Sequence, residues 1–181
     1  MFRNAILASL LVGPTFLQDV SFRLLDPNNH AAMSMAVAPD AHDDQDSLDL
    51  LIADSHALLS ATGVDGQVQG RLKSLLSTHH KMLRKTLVLE QVHDRIAVRL
   101  IVPTVDEAYA VERALGQMYD VVPGTKRDYI ANPKGNGYQS LHASVVVPGS
   151  ERTAEFQVRT PKMHEAAESG DAAHWRYKLV A

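Results

Sequence analysis

The chain has 181 residues, of which 45% are hydrophobic and 22% charged, with no cysteine and a formal net charge of -3. That length suits about one domain, that balance excludes a disordered or fibrous protein, and the lack of cysteine excludes disulfides, thiolate zinc sites and thiol nucleophiles. The charge is uneven: residues 1–70 hold two basic side chains against nine aspartates, whereas residues 71–181 hold sixteen basic against twelve acidic, so an anionic ligand, phosphate above all, is expected on the second part.

The first 20 residues contain one arginine and the apolar run Ala5 to Val12, which Pro14, Asp19 and Arg23 follow too soon for a bilayer crossing. With no small-x-small cleavage site it is not read as a secretory signal, and a cytoplasmic location without membrane attachment is expected. Pro27 to Asp46 mixes turn formers, small residues and acids without a sustained period and reads as a linker. Residues 1–45 are therefore expected to be a loose extension and residues 46–181 the compact domain. From Leu48 the apolar spacing predicts an amphipathic helix, capped by Asp46 or Ser47 and ending at Gly63. Residues 71–85 carry five basic side chains and no acid, and a helix with a strongly cationic face is expected from Ser74.

Ile96 to Val102 reads as a buried strand bounded by Pro103, residues 106–118 as a helix, Val145 to Val147 and Phe156 to Val158 as further strands, and 161–178 as a helix opened by Pro161. The class is α/β with a mixed sheet flanked by helices. On the strand around Phe156, alternation puts Glu155, Gln157 and Arg159 on one face and Phe156 and Val158 on the other. Arg99, in the middle of an apolar strand, is costly to bury without a partner. Asp94 precedes that strand and needs a turn near Arg95 to share a face with Arg99. Asp94 and Glu155 from neighbouring strands are a pair that can hold a hard divalent cation such as Mg²⁺, which bridges nucleotide phosphates. Between them, Pro123 to His142 combines basic residues, glycines and tyrosines: Arg127 and Lys134 could neutralise phosphate, and Tyr138 offers a ring for stacking a base. No P-loop, nucleophile elbow or dinucleotide fingerprint occurs. The pairs His42-Asp43 and His93-Asp94 lack the helical scaffold of a metal phosphohydrolase.

Gly70 to Ser74 with Ser77, Lys81 and Met82, Asp94 with Arg99, Lys126 to Lys134, Asn136 to His142, Glu155 to Thr160, and Met163-His164 with Ala167-Glu168, Gly170, Ala172 to Trp175 and Tyr177-Lys178 together resemble the synthetase domain of the RelA/SpoT family. The resemblance spans residues 67–178. It implies a nucleotidyltransferase-like fold and a pyrophosphokinase that moves the β,γ-pyrophosphate of ATP to the 3′-hydroxyl of GDP or GTP, releasing AMP. By similarity, Arg71 and Arg99 clamp the adenine, Lys73, Ser77 and Lys81 hold ATP phosphates, and Asp94 and Glu155 bind Mg²⁺, with Glu155 assisting deprotonation of the attacking hydroxyl. Tyr138 stacks on the acceptor guanine, Arg127, Lys134 and His142 meet phosphates, and Gln157 and His164 complete the acceptor side. Thr125-Lys126-Arg127-Asp128 departs from the signature of long family members, so GDP and GTP are not told apart. The chain is similar to the small monofunctional alarmone synthetases. A homo-oligomer is compatible with the pattern, and tRNA or adenosine nucleotides are acceptors under the alternative of a toxic synthetase. A non-catalytic nucleotide-binding module is the remaining alternative.

Overall fold

The computed structural model describes residues 14–169. It divides into two compact units: of the described residues, the first holds 14–44 and 72–92, and the second 45–71 and 93–169.

In the first unit, α1 (Pro14–Leu25) and α2 (Pro27–Val37) pack against each other and against α4 (Leu75–Lys85). The helix at 27–37 corrects the reading of that stretch as a linker. Its start is well specified, since the Asp26 side chain accepts from the Asn29 amide at 3.3 Å and Pro27 opens the first turn. Its apolar residues show no helical period, so periodicity could not reveal it. Phe22 is buried and stacks on His79, with ring centroids 5.3 Å apart. Helix α4 begins where the sequence places it: Ser74 is the N-cap and accepts from the Ser77 amide at 3.2 Å, while Arg84 and Lys85 occupy the last turn, where they complement the helix dipole.

The second unit is built on a five-stranded sheet of β1 (Gln67–Leu72), β2 (Ile96–Ile101), β3 (Arg127–Asp128), β4 (Leu141–Val146) and β5 (Thr153–Arg159), in the order β1-β2-β5-β4-β3. Strands β2 and β5 are parallel, and β4 is antiparallel to both β5 and β3, so the sheet is mixed as expected. The central strands bury Ile96, Val98, Leu100, Phe156 and Val158, which is why they read as apolar runs. Helix α3 (Ala41–Thr62) starts earlier than the predicted cap at Asp46 or Ser47, because Asp43 and Asp44 serve its first turn. It ends before Gly63, whose φ of +67° is the left-handed stop that glycine favours. Helix α5 (Val105–Met118) opens with a capping box, Thr104 accepting from the Glu107 amide at 3.2 Å and Glu107 from the Thr104 amide at 2.9 Å. Helix α6 (Pro161–Ser169) follows β5; the expected continuation through Trp175 to 178 lies outside the described residues, as does the apolar run Ala5 to Val12.

Strand β1 has no counterpart in the sequence reading. Gly70 explains its position: a Cβ there would lie 2.5 Å from Ile52 Cδ1 and 2.8 Å from Leu48 Cδ1, so the strand lies directly against α3. The Tyr119 hydroxyl donates to Asp54 at 2.8 Å, and its ring packs 5.5 Å from Phe156, joining α3 to the sheet core. Among the described residues, no helix is long and apolar enough to cross a membrane.

Candidate functional site

One face of the sheet carries polar side chains in rows that the strand register dictates. Gln157 on β5 stands opposite Arg99 on β2 and His142 on β4, and Glu155 stands opposite Ala97 and Ser144. Period-two alternation therefore puts Glu155, Gln157, Arg99 and His142 on a common surface. Their contacts form a chain. Glu155 accepts from His142 Nδ1 at 3.0 Å and from Gln157 Nε2 at 2.7 Å, and His142 Nε2 accepts from the Tyr138 hydroxyl at 2.8 Å. Burial pushes the Glu155 carboxyl up and Asp94 repels it, but the donors His142 and Gln157 outweigh both, and the group stays below its ordinary pKa. Glu155 is thus an ionised, half-buried carboxylate held in place on both oxygens.

Asp94 sits in the turn at residues 93–94, followed by a bend at Arg95, before β2 begins at Ile96. This is the local break that lets it escape strict alternation and reach Glu155 electrostatically. Arg99 finds the partners its burial demands. Its Nη1 lies 3.1 Å from Glu168 Oε1 on α6 and 3.3 Å from Gln69 Oε1 on β1. Burial and the neighbouring Arg159 lower its pKa, without removing its charge. Gln69, Gly70, Arg71, Ala97, Arg99 and Gln157 line an open pocket of about 70 Å³ between β1, β2 and β5. Arg71 is exposed at its rim.

Next to β4, the loop 129–140 folds on itself. The Gly137 amide donates to Lys134 O at 2.7 Å and the Lys134 amide to Tyr138 O at 3.1 Å, with Gly137 at φ +77°. Lys134 Nζ lies 4.3 Å from the Tyr129 ring centroid and 4.9 Å from that of Tyr138. Tyr129, Tyr138 and His142 meet edge to face. Burial raises the Tyr138 phenol above its ordinary pKa, keeping the hydroxyl a donor. Arg127 is turned to its own loop, donating to Gly124 O at 2.6 Å and Lys126 O at 2.7 Å. Asp128 accepts from the Ile130 and Ala131 amides and from the Tyr109 hydroxyl, which fixes the approach to the loop.

The structure thus gathers Asp94, Glu155, Gln157, Arg99, Tyr138 and His142, adds Lys134 over the tyrosines, and places His164 beside Arg159 at 2.9 Å. Lys73, Ser77 and Lys81 belong to the first unit, spaced by four residues at the start of and along α4. There the Ser77 and Ser74 hydroxyls both donate to Gln18 Oε1, at 3.1 and 2.8 Å. Sequence reasoning did not assign roles to Arg159, Glu168, Tyr129 and Gln69. The alternation of β5 already pointed Arg159 to the polar face, but its pairing with Glu168 depends on how α6 folds back.

A family model described as a region found in RelA / SpoT proteins matches residues 70–180. A GTP pyrophosphokinase of Myxococcus xanthus is 38% identical over 168 residues, covering 91% of this chain and 22% of the relative. A GTP pyrophosphokinase of Escherichia coli K12 is 37% identical over 162 residues, covering 90% and 22%. The chain therefore spans about a fifth of the length of the curated relatives it matches. Among solved structures, small alarmone synthetase 2 from Bacillus subtilis superposes with a TM-score of 0.68 at 27% identity, covering 80% of this chain and 83% of that one. Small alarmone synthetase 1 from the same organism, bound to its product pppGpp, has the same fold, with a TM-score of 0.68 at 23% identity over 76% and 79%.

Proposed function

Because the chain belongs to the RelA/SpoT family, we propose that it is an ATP-dependent pyrophosphokinase that makes guanosine tetra- or pentaphosphate from GDP or GTP. The observation that carries the reading is Glu155: an ionised carboxylate at the centre of a polar sheet face, tethered on both oxygens, with Asp94 close enough to repel it. Its support comes from relatives named GTP pyrophosphokinase and from a neighbour of like fold named small alarmone synthetase. The catalytic domain of this reading is residues 46–181.

Two hard-oxygen carboxylates in mutual repulsion are a donor set that suits Mg²⁺. Among the described residues no third histidine or carboxylate joins them in a metal cluster, so the remaining ligands would be substrate phosphates and water, the usual arrangement for this ion. Asp94 and Glu155 would hold it, and when bound it would supply charge neutralisation to the phosphates.

Arg71 and Arg99 would grip the adenine between guanidinium planes, and Lys73, Ser77 and Lys81 would neutralise the ATP phosphates. Tyr138 would stack on the acceptor purine, with Lys134 and His142 toward its phosphates and Gln157 and His164 closing that side; Arg127, engaged by the Gly124 and Lys126 carbonyls, would first have to leave them to join the phosphate contacts. The acceptor 3′-oxygen would then attack the β-phosphorus of ATP. An oxygen–phosphorus bond forms to the β,γ-pyrophosphoryl group, the bond from the β-phosphorus to the bridging oxygen of the α-phosphate breaks, and AMP leaves with the electron pair. The hydroxyl proton passes to Glu155, which the His142 and Gln157 donors keep ionised until then. Most of the acceleration would come from alignment and from preorganised charge.

The test is incubation of the chain with ATP labelled at the γ-phosphate, Mg²⁺ and GDP or GTP. AMP and a labelled 3′-pyrophosphorylated nucleotide are expected, and Glu155→Gln should lower the rate at least about a hundredfold, the usual scale of a lost general base. A wild-type chain that yields neither product sinks the proposal.

A further inference from the structure

We infer that Glu168 and Arg159 are positioning residues, Glu168 setting the donor-side Arg99 and Arg159 the acceptor-side His164, an inference that rests on the reading of the site given above. Arg159 ends β5 and is 1% exposed, an extreme burial for a guanidinium. Its Nη2 donates to His164 Nδ1 at 2.9 Å and to Glu168 Oε1 at 3.1 Å. The same oxygen of Glu168 lies 3.1 Å from Arg99 Nη1. One carboxylate oxygen, carried on α6, therefore bridges guanidinium groups from two parallel neighbouring strands.

Charge makes the bridge necessary. Arg99 is repelled by both Arg159 and Arg71, and Glu168 is the acid that opposes them. Without it, Arg99 would carry a long, rotamer-rich side chain among like charges and would have to be ordered when the donor base arrived. With it, the Arg99 plane is set in advance. The buried Nε of each arginine makes no hydrogen bond among the described residues, so both guanidinium groups depend on their Nη atoms for orientation.

The contact with His164 carries chemical information of its own. A guanidinium only donates, so His164 Nδ1 must accept, which puts the ring proton on Nε2. Arg159 thereby makes His164 a neutral ring with Nε2–H as its free donor. Burial, reinforced by the Arg159 and Arg99 charges, lowers the His164 pKa in the same sense.

Steady-state kinetics on the full chain separates the roles. Glu168 is 55% exposed, so its replacement opens no cavity, and the Tm of each variant reads whether the buried Arg159 tolerates losing its acid partner. Glu168→Ala should raise the KM for ATP about tenfold, the worth of one charge-assisted hydrogen bond, and leave the KM for GDP or GTP and kcat within about twofold. Glu168→Gln, which keeps the accepting oxygen, should recover part of that loss. Nitrogen NMR of the histidine-labelled wild type should show His164 as the Nε2–H tautomer, and Arg159→Met, which removes the donor at similar side-chain length, should return it to a mixture. An active wild type whose ATP KM ignores Glu168→Ala overturns the positioning of Arg99, and a wild-type His164 protonated at Nδ1 overturns that of His164. A wild type that forms no AMP overturns the transferase reading and the Arg99 half together, a failure distinct from either.

Discussion

The Tyr138 ring is tied through its hydroxyl to His142 and carries the Lys134 ammonium within 4.9 Å of its centroid. A purine stacking there would meet a face that already attracts positive charge and is braced by Tyr129. Tyr138→Ala should weaken GDP or GTP binding by about 1–3 kcal/mol and leave ATP affinity unchanged, as measured by calorimetry with each nucleotide alone. Equal losses for both nucleotides would reject the stacking role. Most of these side chains were legible one at a time, since a glycine-rich basic loop with tyrosines announces itself. Their hydrogen bonds were not: that His142 reaches both Tyr138 and Glu155 follows from the antiparallel pairing of β4 with β5, which brings His142 opposite Gln157.

At the scale of elements, α3 is joined to the sheet by Tyr119 and by the close approach of β1. Burial, with the hydrogen bond to Asp54, pushes the Tyr119 phenol well above its ordinary value of 10.0. The folded state therefore binds this proton more tightly than the unfolded chain. The contribution to stability is complete below the unfolded-state value of about 10 and is lost progressively as the pH rises from there toward the higher folded-state value. Denaturant unfolding between pH 8 and 11 should show the decline in the wild type and a shallower one in Tyr119→Phe. A similar slope in both would place the titration elsewhere. Gly70→Val should cost about 1–3 kcal/mol in the same assay, because the added carbons would have to displace the Ile52 and Leu48 ends that fill the space against β1; an unchanged midpoint would show that α3 yields freely. Helix α4 and strands β2 and β5 were readable from the sequence because cap residues and apolar runs act locally. Strand β1 was not, since Gln67, Gln69 and Gly70 have little intrinsic preference for a strand and form one only against α3 and β2.

For the whole molecule, the excess of basic over acidic side chains in residues 71–181 suits the anionic ligand proposed above. ATP with Mg²⁺ at about 100 times its Kd should add about 2.7 kcal/mol to the unfolding free energy, read as a rise in Tm; a transition that does not move would show that the chain fails to hold the donor. By itself the sequence determined the α/β class, the mixed sheet, the family and the candidate residues, because periodicity, capping and motif spacing are properties of short stretches of chain. Tertiary structure alone decided that Pro27–Val37 is a helix packed on its neighbours, that Arg127 turns to its own loop carbonyls, and that Glu168 serves two arginines at once. Each of those outcomes depends on the energy of burying or pairing a group with another far along the chain, and no local pattern of residues contains that energy.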